Sequence, residues 1–361
     1  MLDTNSPFPK YFQLKEFLKK QIQQGDIPFN GQLPSENELA KEFKLSRHTV
    51  RQAFGELEAE GWIRREQGRG TFCIFGEKTN NRVIAVVTTY ISEYIFPLII
   101  RGIEEILSTA GYTMVLANTN NDRIKEGASF ESLLNQNIAG LIIEPTKSSE
   151  KNTNLNWYQD FEKRQIPYIM LHAFYTDLDP AYIIMDDHKG GYLAAQYLLQ
   201  LGHREIAGIF KTDDQQGLNR QTGFFAALKD YGVTPKPEFI GNYETEQKQS
   251  FPTQFTKRLL QKEQRPTAIV CYNDQLALEI IEVIRNEGLK IPDDISIIGY
   301  DDSVLATASE VKLTTIKHPK INMGRQAARF LIDMVEKRIE KPSFIYQPEL
   351  IIRNSCRSLR G

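Results

Sequence analysis

The sequence predicts an α/β protein that combines an N-terminal winged helix-turn-helix with a larger, two-lobed body of doubly wound parallel sheets. Three observations predict this fold class: two capped helix starts among the first 60 residues, a glycine-rich hairpin tip directly after them, and apolar strands that alternate with helices from residue 83 onward. The order of these features predicts a winged helix-turn-helix over residues 1–74, a polar linker over 75–82 and a second domain over 83–361.

The composition is that of an ordinary soluble globular protein. Of its 361 residues 41% are hydrophobic and 25% charged, and the net charge of −2 does not by itself indicate a nucleic-acid partner. The N-terminus lacks the basic start and apolar centre of a signal peptide, and no apolar run approaches the ~18 residues that a membrane helix needs. We therefore expect a cytoplasmic protein without a membrane partner. Cys73, Cys271 and Cys356 lie far apart, which predicts reduced thiols and no metal site.

Two short helices joined by a tight turn form the predicted helix-turn-helix. Ser35 and Glu38 match a capping box, in which the serine hydroxyl accepts a free helix amide and the glutamate reaches back to the serine backbone. Ser46 is placed to cap the next helix, whose apolar stripe faces away from Arg47 and Arg51. This second helix is typical of a recognition helix, because arginine grips a phosphate or binds a guanine edge with two hydrogen bonds.

A hairpin with a Gly-Arg-Gly tip follows the second helix. Gly68 and Gly70 allow positive φ and let the backbone approach a partner closely, and Arg69 between them is placed to enter a minor groove. Taken singly, arginines on a helix are more often a solvated face than a DNA contact, and such a tip is an ordinary turn. The order and spacing of the two capped helices and the hairpin, taken together, are much more specific for a DNA-binding domain.

Residues 9–73 resemble the winged-helix domain of the GntR family. The resemblance lies in a Leu-Pro-Ser-Glu helix start at 33–36, a Ser-Arg-His-Thr-Val-Arg recognition helix at 46–51 and a Gly-Arg-Gly-Thr-Phe wing at 68–72. It implies binding to double-stranded operator DNA. Together with Arg69 at the tip, the residues that the resemblance places at the DNA are Ser35, Glu36, Arg47, His48, Thr49, Arg51, Gln67 and Gly70.

From residue 83 onward apolar strands alternate with helices, many of which end in glycine. This alternation predicts parallel sheets, and the number of strands favours two doubly wound lobes over one sheet. No glycine fingerprint of a dinucleotide site follows the first strand. The predicted strands cover residues 83–88, 113–118, 140–144, 168–172, 182–185, 206–210, 268–272 and 296–299.

Lobes of this kind hold ligands in the crevice between them, at the carboxyl ends of the strands. Arg220 is expected to open a helix after the loop over 211–217. Carboxylates, an amide and an arginine can hydrogen-bond paired hydroxyls, while aromatic rings cover the C–H face of a sugar. A single arginine favours a neutral polyol over a phosphorylated one. The other candidates near the strand ends are Tyr90, Tyr94, Phe96, Glu144, His172, Asp186, Tyr243, Asn273 and Asp301.

Each candidate also has a purely structural interpretation. Asp186 and Asp301 suit loop carboxylates or helix caps, and any single aromatic ring suits core packing. Paired carboxylates are also compatible with a carbohydrate hydrolase that uses one as acid and one as base. Against an enzyme, the sequence has no GxSxG elbow, no HExxH motif and no metal-ligand spacing among its histidines.

Residues 83–356 resemble the effector domain of the LacI/GalR family, which is similar to periplasmic sugar-binding proteins and dimerises. The motifs that carry the resemblance are Leu-Gly-His-Arg-Glu-Ile-Ala at 201–207, Arg-Gln-Thr-Gly-Phe at 220–224, Cys-Tyr-Asn-Asp-Gln-Leu-Ala at 271–277, Ile-Gly-Tyr-Asp-Asp at 298–302 and Leu-Thr-Thr-Ile-Lys at 313–317. The resemblance implies a two-lobed, periplasmic-binding-protein-like body whose sugar contacts match Arg220, Asn273 and Asp301, with Asp186 at a further acidic position.

A GntR-type head on a LacI-like body resembles the chimeric layout of the arabinose-responsive repressors. The resemblance implies a homodimeric repressor, without a cofactor, that leaves a near-palindromic operator when it binds a small neutral sugar, L-arabinose. Alternatives are a regulator of another carbohydrate operon, a sugar-binding protein that serves transport, and the hydrolase above. The DNA-binding head and the missing signal peptide oppose the transport protein.

Overall fold

The computed structural model describes residues 8–24, 26–75, 82–92, 94–308 and 310–360. Two compact units divide the chain, Met1–Asn81 and Arg82–Gly361. Most of the predicted linker, residues 76–81, lies outside the described residues. Within the described ranges, no helix combines the length and the apolar character that crossing a membrane requires.

The first unit is a winged helix-turn-helix, as predicted. The amphipathic pattern of its recognition helix buries Val50, Phe54 and Leu57 against the other helices, where all three are at most 1% exposed. Burying such side chains is the main favourable contribution to the stability of a unit this small. Its elements are α1 (Lys10–Gln24), α2 (Glu36–Glu42), α3 (Arg47–Ala59), β1 (Ile63–Glu66) and β2 (Gly70–Cys73).

Two six-stranded sheets, one in each lobe, form the framework of the second unit. The sheet of the first lobe is entirely parallel and reads, in spatial order, β13 (Ser343–Tyr346), β7 (Ala181–Met185), β6 (Tyr168–Leu171), β5 (Gly140–Ile143), β3 (Val83–Thr88) and β4 (Thr113–Asn118). The sheet of the second lobe reads β14 (Glu349–Ile351), β12 (Thr314–Lys317), β11 (Ser296–Asp301), β10 (Ala268–Cys271), β8 (Ile206–Lys211) and β9 (Ile240–Tyr243), with β14 antiparallel to β12.

Helices cover both sheets, which is the doubly wound arrangement that parallel strands require. The helices of the first lobe are α4 (Phe96–Thr109), α5 (Arg123–Leu134), α6 (Leu155–Lys163) and α12 (Lys320–Val335). Those of the second lobe are α7 (Asp187–Gln200), α8 (Gln215–Asp230), α9 (Phe251–Leu260), α10 (Asp274–Asn286) and α11 (Leu305–Ala308). The described chain passes between the lobes after β7, after β12 and after β13, so the lobes are joined at one side of the cleft between them.

All eight predicted strands are present, with ends that differ by at most two residues. The sequence interpretation did not find β9, β12, β13 and β14. These strands have only three or four residues each, and β13 exposes Phe344 and Ile345 at the edge of its sheet, so no apolar alternation marks it.

The prediction that Arg220 opens a helix is wrong. The helix α8 begins at Gln215, where the side chain of Asp214 accepts a hydrogen bond from the amide of Gly217 at 2.7 Å and caps the helix. Arg220 therefore lies in the second turn of α8. There its side chain is 5% exposed, and it reaches the cleft from the helix rather than from a loop.

Candidate functional site

Side-chain caps define the two helix starts of the head. Ser35 Oγ accepts from the amide of Glu38 at 3.3 Å, while Glu38 accepts from the backbone N–H of Ser35 at 2.7 Å. These bonds to Ser35 lower the pKa of the Glu38 carboxyl. At the start of α3, Ser46 Oγ accepts from the amide of Thr49 at 3.1 Å. The caps fix where the recognition helix begins and so which of its side chains face outward.

Arg47, His48 and Arg51 are exposed on the side of α3 that faces away from the core. Arg51 donates from Nε and Nη2 to the carboxylate of Glu36 on α2, at 3.2 and 3.0 Å to Oε2. This bond to Glu36 raises the pKa of Arg51, and the guanidinium stays 65% exposed. Glu36 thus orients the arginine without covering it, and Thr49 is half-buried beside its cap.

The predicted hairpin is present, with Glu66 opposite Gly70 in the ladder between β1 and β2. At its tip, Gly68 and Gly70 have φ of +76° and +126°, a conformation that glycine adopts without strain. Arg69 is 76% exposed and pairs with Glu66 at 2.7 Å, and Gln67 is exposed beside it. The Arg65 guanidinium, from β1, donates to the backbone carbonyl of Arg51 and links the hairpin to α3.

In the second unit, one cleft between the lobes brings together nine of the ten predicted residues. It encloses about 1000 Å³ including its open mouth, a size suited to a small molecule. The predicted residues that line it are Tyr90, Tyr94, Phe96, Glu144, His172, Arg220, Tyr243, Asn273 and Asp301.

Arg220 is the centre of a buried charged cluster in this cleft. Its Nε donates to Asp187 at 2.8 Å, its Nη1 donates to the carbonyl of Tyr272 at 2.8 Å, and its Nη2 lies 3.7 Å from Asp301 Oδ1. The guanidinium also stacks 3.6 Å from the ring centroid of Tyr300. Burial raises the pKa of Asp187, although the charge of Arg220 opposes the change.

The carboxylate of Glu144 and the ring of His172 form a second buried pair, with Nδ1 and Oε1 2.8 Å apart. Burial alone would raise the pKa of Glu144, but His172 and the donors of Thr89 lower it. Conversely, burial would lower the pKa of His172, and the hydrogen bond and charge of Glu144 raise it. The Nδ1–H therefore donates to the carboxylate, which turns Nε2 of His172 away from Glu144.

Four buried polar atoms on the cleft wall have no hydrogen-bond partner within the described residues. They are Nε2 of His172, Nδ1 of His318, Oδ1 of Asp301 and Oε1 of Gln216. Because buried polar groups in folded proteins are nearly always satisfied, such atoms are candidates for contact with a polar ligand. The ring of Phe96 lies against His172 and that of Tyr90 against Phe96, so the wall offers both polar atoms and apolar faces.

The prediction that Asp186 faces the ligand is contradicted by its geometry. Asp186 is the N-cap of α7, where its side chain accepts from the amide of Lys189 at 2.9 Å, and it does not line the cleft. Its neighbour Asp187 is 3% exposed and lines the cleft instead. A cap side chain must turn back onto its own helix, so the second aspartate of the pair is the one left to face inward.

Asn273 lines the cleft and also caps α10, where its Oδ1 accepts from the amide of Leu276 at 2.9 Å. The cap occupies the oxygen and leaves the amide nitrogen as the group that a ligand can use. The sequence predicted Asn273 as a site residue, and the structure adds its role as a helix cap.

Sequence reasoning missed several residues that line the same cleft. Lys211 is buried but pairs with Asp213 at 2.6 Å and Asp214 at 3.0 Å, so its charge is balanced within the protein. Tyr272 donates to Asp214 at 2.7 Å. The remaining lining residues that were not predicted include Asp187, Gln216, Lys248, Gln275, Glu279 and His318. No local sequence motif marks these residues as part of the site, and only the folded structure shows that they line the cleft.

Hydrogen bonds join the two lobes across this cleft. Tyr94 in the first lobe donates from its hydroxyl to the carbonyl of Tyr300 at 2.9 Å and accepts from the amide of Asp274 at 3.1 Å. Asn121 donates to Thr245 at 2.6 Å in the second lobe. The lobes are therefore in direct contact with each other, in a closed arrangement.

Comparisons with known proteins support the same two-part organisation. Residues 10–73 match the model of the bacterial regulatory proteins of the gntR family, and residues 195–356 match that of the periplasmic binding protein-like domain. An arabinose metabolism transcriptional repressor of Geobacillus stearothermophilus is 49% identical, with 97% of this chain and 98% of the relative covered. A repressor of the same description from Halalkalibacterium halodurans is 46% identical, with 96% of each chain covered.

The chain belongs to this family of transcriptional repressors. The chain carries a gntR-type regulatory head and a periplasmic binding protein-like body, and it is a regulator and not an enzyme, which excludes the hydrolase alternative. The crystal structure of a LacI family transcriptional regulator from Enterococcus faecium with bound ribose superimposes with a TM-score of 0.66 at 26% identity, over 77% of this chain and all of that chain. The fold class and the family resemblances predicted from the sequence are therefore confirmed.

Among the residues that the structure describes, no group of three or more His, Cys, Asp and Glu side chains is placed to hold a metal ion. Several charged groups of the cleft are instead paired with one another, as the Arg220 and Glu144 clusters show.

Proposed function

We propose that this chain is a homodimeric repressor of arabinose metabolism genes that leaves its operator when the cleft binds L-arabinose. The observation that carries the proposal is the similarity over nearly the whole chain to two arabinose metabolism repressors, together with a cleft whose unpaired atoms suit sugar hydroxyls. The domains that we assign to these tasks are residues 1–74 for DNA, 75–82 for the linker and 83–361 for effector and dimer. It acts on DNA in the cytoplasm.

At the DNA end, α3 of each protomer enters a major groove and the hairpin tip reaches the neighbouring minor groove. Support comes from the exposure of Arg47, His48 and Arg51 on one side of α3 and from the glycines that flank Arg69. Two heads in a dimer contact the two halves of a near-palindromic operator. The full set proposed to contact DNA is Ser35, Glu36, Arg47, His48, Thr49, Arg51, Gln67, Arg69 and Gly70.

At the sugar end, the charge balance of the cleft supports a neutral ligand. Arg220 and Lys211 are each held by buried carboxylates, so neither has an uncompensated charge for a phosphate. Asp301 Oδ1 and the histidine nitrogens accept or donate single hydrogen bonds, as sugar hydroxyls require. The residues proposed to contact the sugar are those predicted from the sequence, with Asp187 in place of Asp186.

The sugar couples to DNA by holding the lobes together. A ligand in the cleft contacts both lobes and favours the closed arrangement, which changes the spacing of the two heads in the dimer. A coupling free energy of roughly 1–3 kcal/mol is normal for two such sites, and it corresponds to a change in DNA affinity of about 5–150-fold.

Calorimetry of the purified chain against a panel of pentoses, hexoses and a hexose phosphate tests the ligand. We expect L-arabinose to bind and the phosphorylated sugar not to bind. If another neutral sugar binds and L-arabinose does not, the arabinose assignment is wrong. The alternative that the chain regulates a different carbohydrate operon is then supported. Preferred binding of the hexose phosphate contradicts the charge argument as well.

A further inference from the structure

The hairpin of the head is held by a third backbone segment that precedes α2. Leu33 donates from its amide to the carbonyl of Thr71 at 2.8 Å, and Cys73 donates to the carbonyl of Gly31 at 2.9 Å. Gln32 lies between these two bonds and forms an antiparallel bridge to β2. The peptide that leads into the helix-turn-helix is thus also an edge of the hairpin sheet.

The side chain of Gln32 extends from this segment to the hairpin tip. Its Nε2 donates a hydrogen bond to the backbone carbonyl of Arg69 at 3.1 Å. Gly70 lies directly beneath the same amide, and a Cβ at this position would overlap with it. The glycine at this position therefore leaves space for the side chain of Gln32 and also adopts the positive φ of the turn without strain.

The other contacts that the structure shows at the tip are local. The Arg69 amide donates to the carbonyl of Glu66 at 3.0 Å, which closes the turn, and the Arg69 side chain pairs with Glu66 at 2.7 Å. Glycine stands on either side of the arginine. Glycine has the largest backbone freedom of all residues, so a tip of this composition loses much conformational entropy when a partner fixes it. A hydrogen bond that already restrains the tip reduces this loss on binding.

We propose that Gln32 is a positioning residue for DNA recognition, which holds the backbone of Arg69 so that the arginine reaches the minor groove. The inference rests on the proposed function of the head as an operator-binding domain. Gln32 lies three residues before the cap Ser35, so one short peptide sets both the start of α2 and the place of the tip. The spacing between the major-groove helix and the minor-groove arginine is thereby fixed before DNA binds.

The test uses the full-length protein and a fluorescein-labelled duplex, which is selected from a random-sequence pool by the wild type. Operator affinity is measured by fluorescence anisotropy for Gln32→Met, Arg69→Ala and the double variant. Methionine keeps the length of the side chain and removes the donor. Gln13→Met is the matched control, because Gln13 donates a similar bond to the carbonyl of Phe8 at 2.8 Å, outside the hairpin.

We expect Gln32→Met to weaken binding roughly three- to tenfold, the usual range for losing one neutral hydrogen bond. In the Arg69→Ala background the same substitution should change the affinity by less than about twofold, because the group that Gln32 positions is then absent. Gln13→Met should bind as the wild type does. Thermal unfolding of each variant, which should stay near that of the wild type, shows that the head remains folded.

Three results would overturn the inference. Equal losses from Gln32→Met in both backgrounds would show that the glutamine acts on the stability of the head and not through Arg69. An unchanged affinity of Gln32→Met, with Arg69→Ala weakened, would show that the tip is positioned without it. An unchanged operator affinity of Arg69→Ala would show that Arg69 makes no contact with the DNA that Gln32 could position. Failure of the wild type to select any duplex contradicts instead the proposed function.

Discussion

Arg220 shows how a single residue organises the cleft. Its guanidinium bonds to Asp187 and to the carbonyl of Tyr272, and it stacks on the ring of Tyr300. The Nη2 of the same guanidinium lies 3.7 Å from Asp301 Oδ1, which is longer than a hydrogen bond. This oxygen of Asp301 is buried and free of hydrogen bonds from the described residues.

Substitution of Asp301 tests the proposed sugar contact. Asp301 has a φ of +96°, which asparagine tolerates better than alanine, so Asp301→Asn keeps the backbone and replaces the carboxylate with a neutral amide. Losing a charged acceptor costs roughly 1.5–3 kcal/mol, so we expect L-arabinose affinity in calorimetry to fall about tenfold or more while operator binding without sugar persists. The repressor should then remain on DNA when sugar is added.

The control for this prediction is Asp186→Asn, which replaces the neighbouring cap. Asparagine caps a helix as well as aspartate does, and Asp186 does not line the cleft. Unchanged arabinose affinity is therefore expected. If Asp301→Asn responded to arabinose as the wild type does, the proposed contact would be wrong.

Substitution of Arg47 tests the recognition helix. Arg47→Ala should weaken operator binding by about 1–3 kcal/mol if the arginine reads a base, as measured by anisotropy on the selected duplex. Arg51→Ala should have a similar effect, although it also releases Glu36 from its ion pair. The control Lys20→Ala removes one positive charge from α1, outside the recognition helix, and should weaken operator binding less than either arginine substitution does. Normal operator affinity of both arginine variants would contradict the placement of α3 in the groove.

At the scale of elements, helix caps and glycine turns decide how the head presents its side chains. The caps at Ser35 and Ser46 fix the rotation of α2 and α3, which places Glu36 and Arg51 within bonding distance. In the body, caps at Asp186, Asp214 and Asn273 start three helices whose first turns border the cleft. Because a capped start fixes the helical register, each cap also determines which neighbour faces the ligand.

Gly70→Val tests the hairpin as an element. Valine is strained at a φ of +126°, and its Cβ would displace the side-chain amide of Gln32, so the conformation of the tip is disturbed. We expect operator binding to weaken substantially while calorimetry shows unchanged arabinose binding, because the body is a separate compact unit. Operator binding equal to that of the wild type would show that the hairpin is not near the DNA.

At the scale of the whole molecule, the body buries a carboxyl group where the two lobes meet. Asp274 at the start of α10 is fully buried and accepts from Thr315 Oγ1 at 2.6 Å and from the amide of Ser303 at 2.7 Å. Its own amide donates to Tyr94 of the opposite lobe. Burial, together with the charge of Asp301, raises the pKa of Asp274 to about 7.

This buried carboxyl predicts a pH dependence of stability. Its pKa is higher in the folded than in the unfolded chain, so the folded state binds the proton more tightly and loses stability as the pH rises toward and through 7. Between pH 6 and pH 8 the free energy of unfolding of the wild type should fall by about 1.4 kcal/mol relative to Asp274→Asn, measured by urea denaturation at one protein concentration. A difference between the two proteins that stays constant over this range would contradict the assignment.

Much of the architecture followed from local patterns in the amino-acid order. The capping box at Ser35, the cap at Ser46, the Gly-Arg-Gly tip and the strand–helix alternation are each specified by neighbouring residues, because caps and turns act over three or four positions. The same patterns placed nine cleft residues correctly, since strand ends of a parallel sheet converge at one edge. That the cleft residues bind sugar, and that the exposed residues of the head bind DNA, stays a prediction.

Other features depended on contacts between residues that are distant in the chain. The choice between Asp186 and Asp187 follows from which side chain caps α7, and the neutralisation of Lys211 follows from its packing against Asp213 and Asp214. The short strands β12, β13 and β14 form only because a neighbouring strand supplies their hydrogen bonds. The bonds of Tyr94 across the cleft join positions about 200 residues apart, and no local pattern encodes them, because only folding brings the two lobes together.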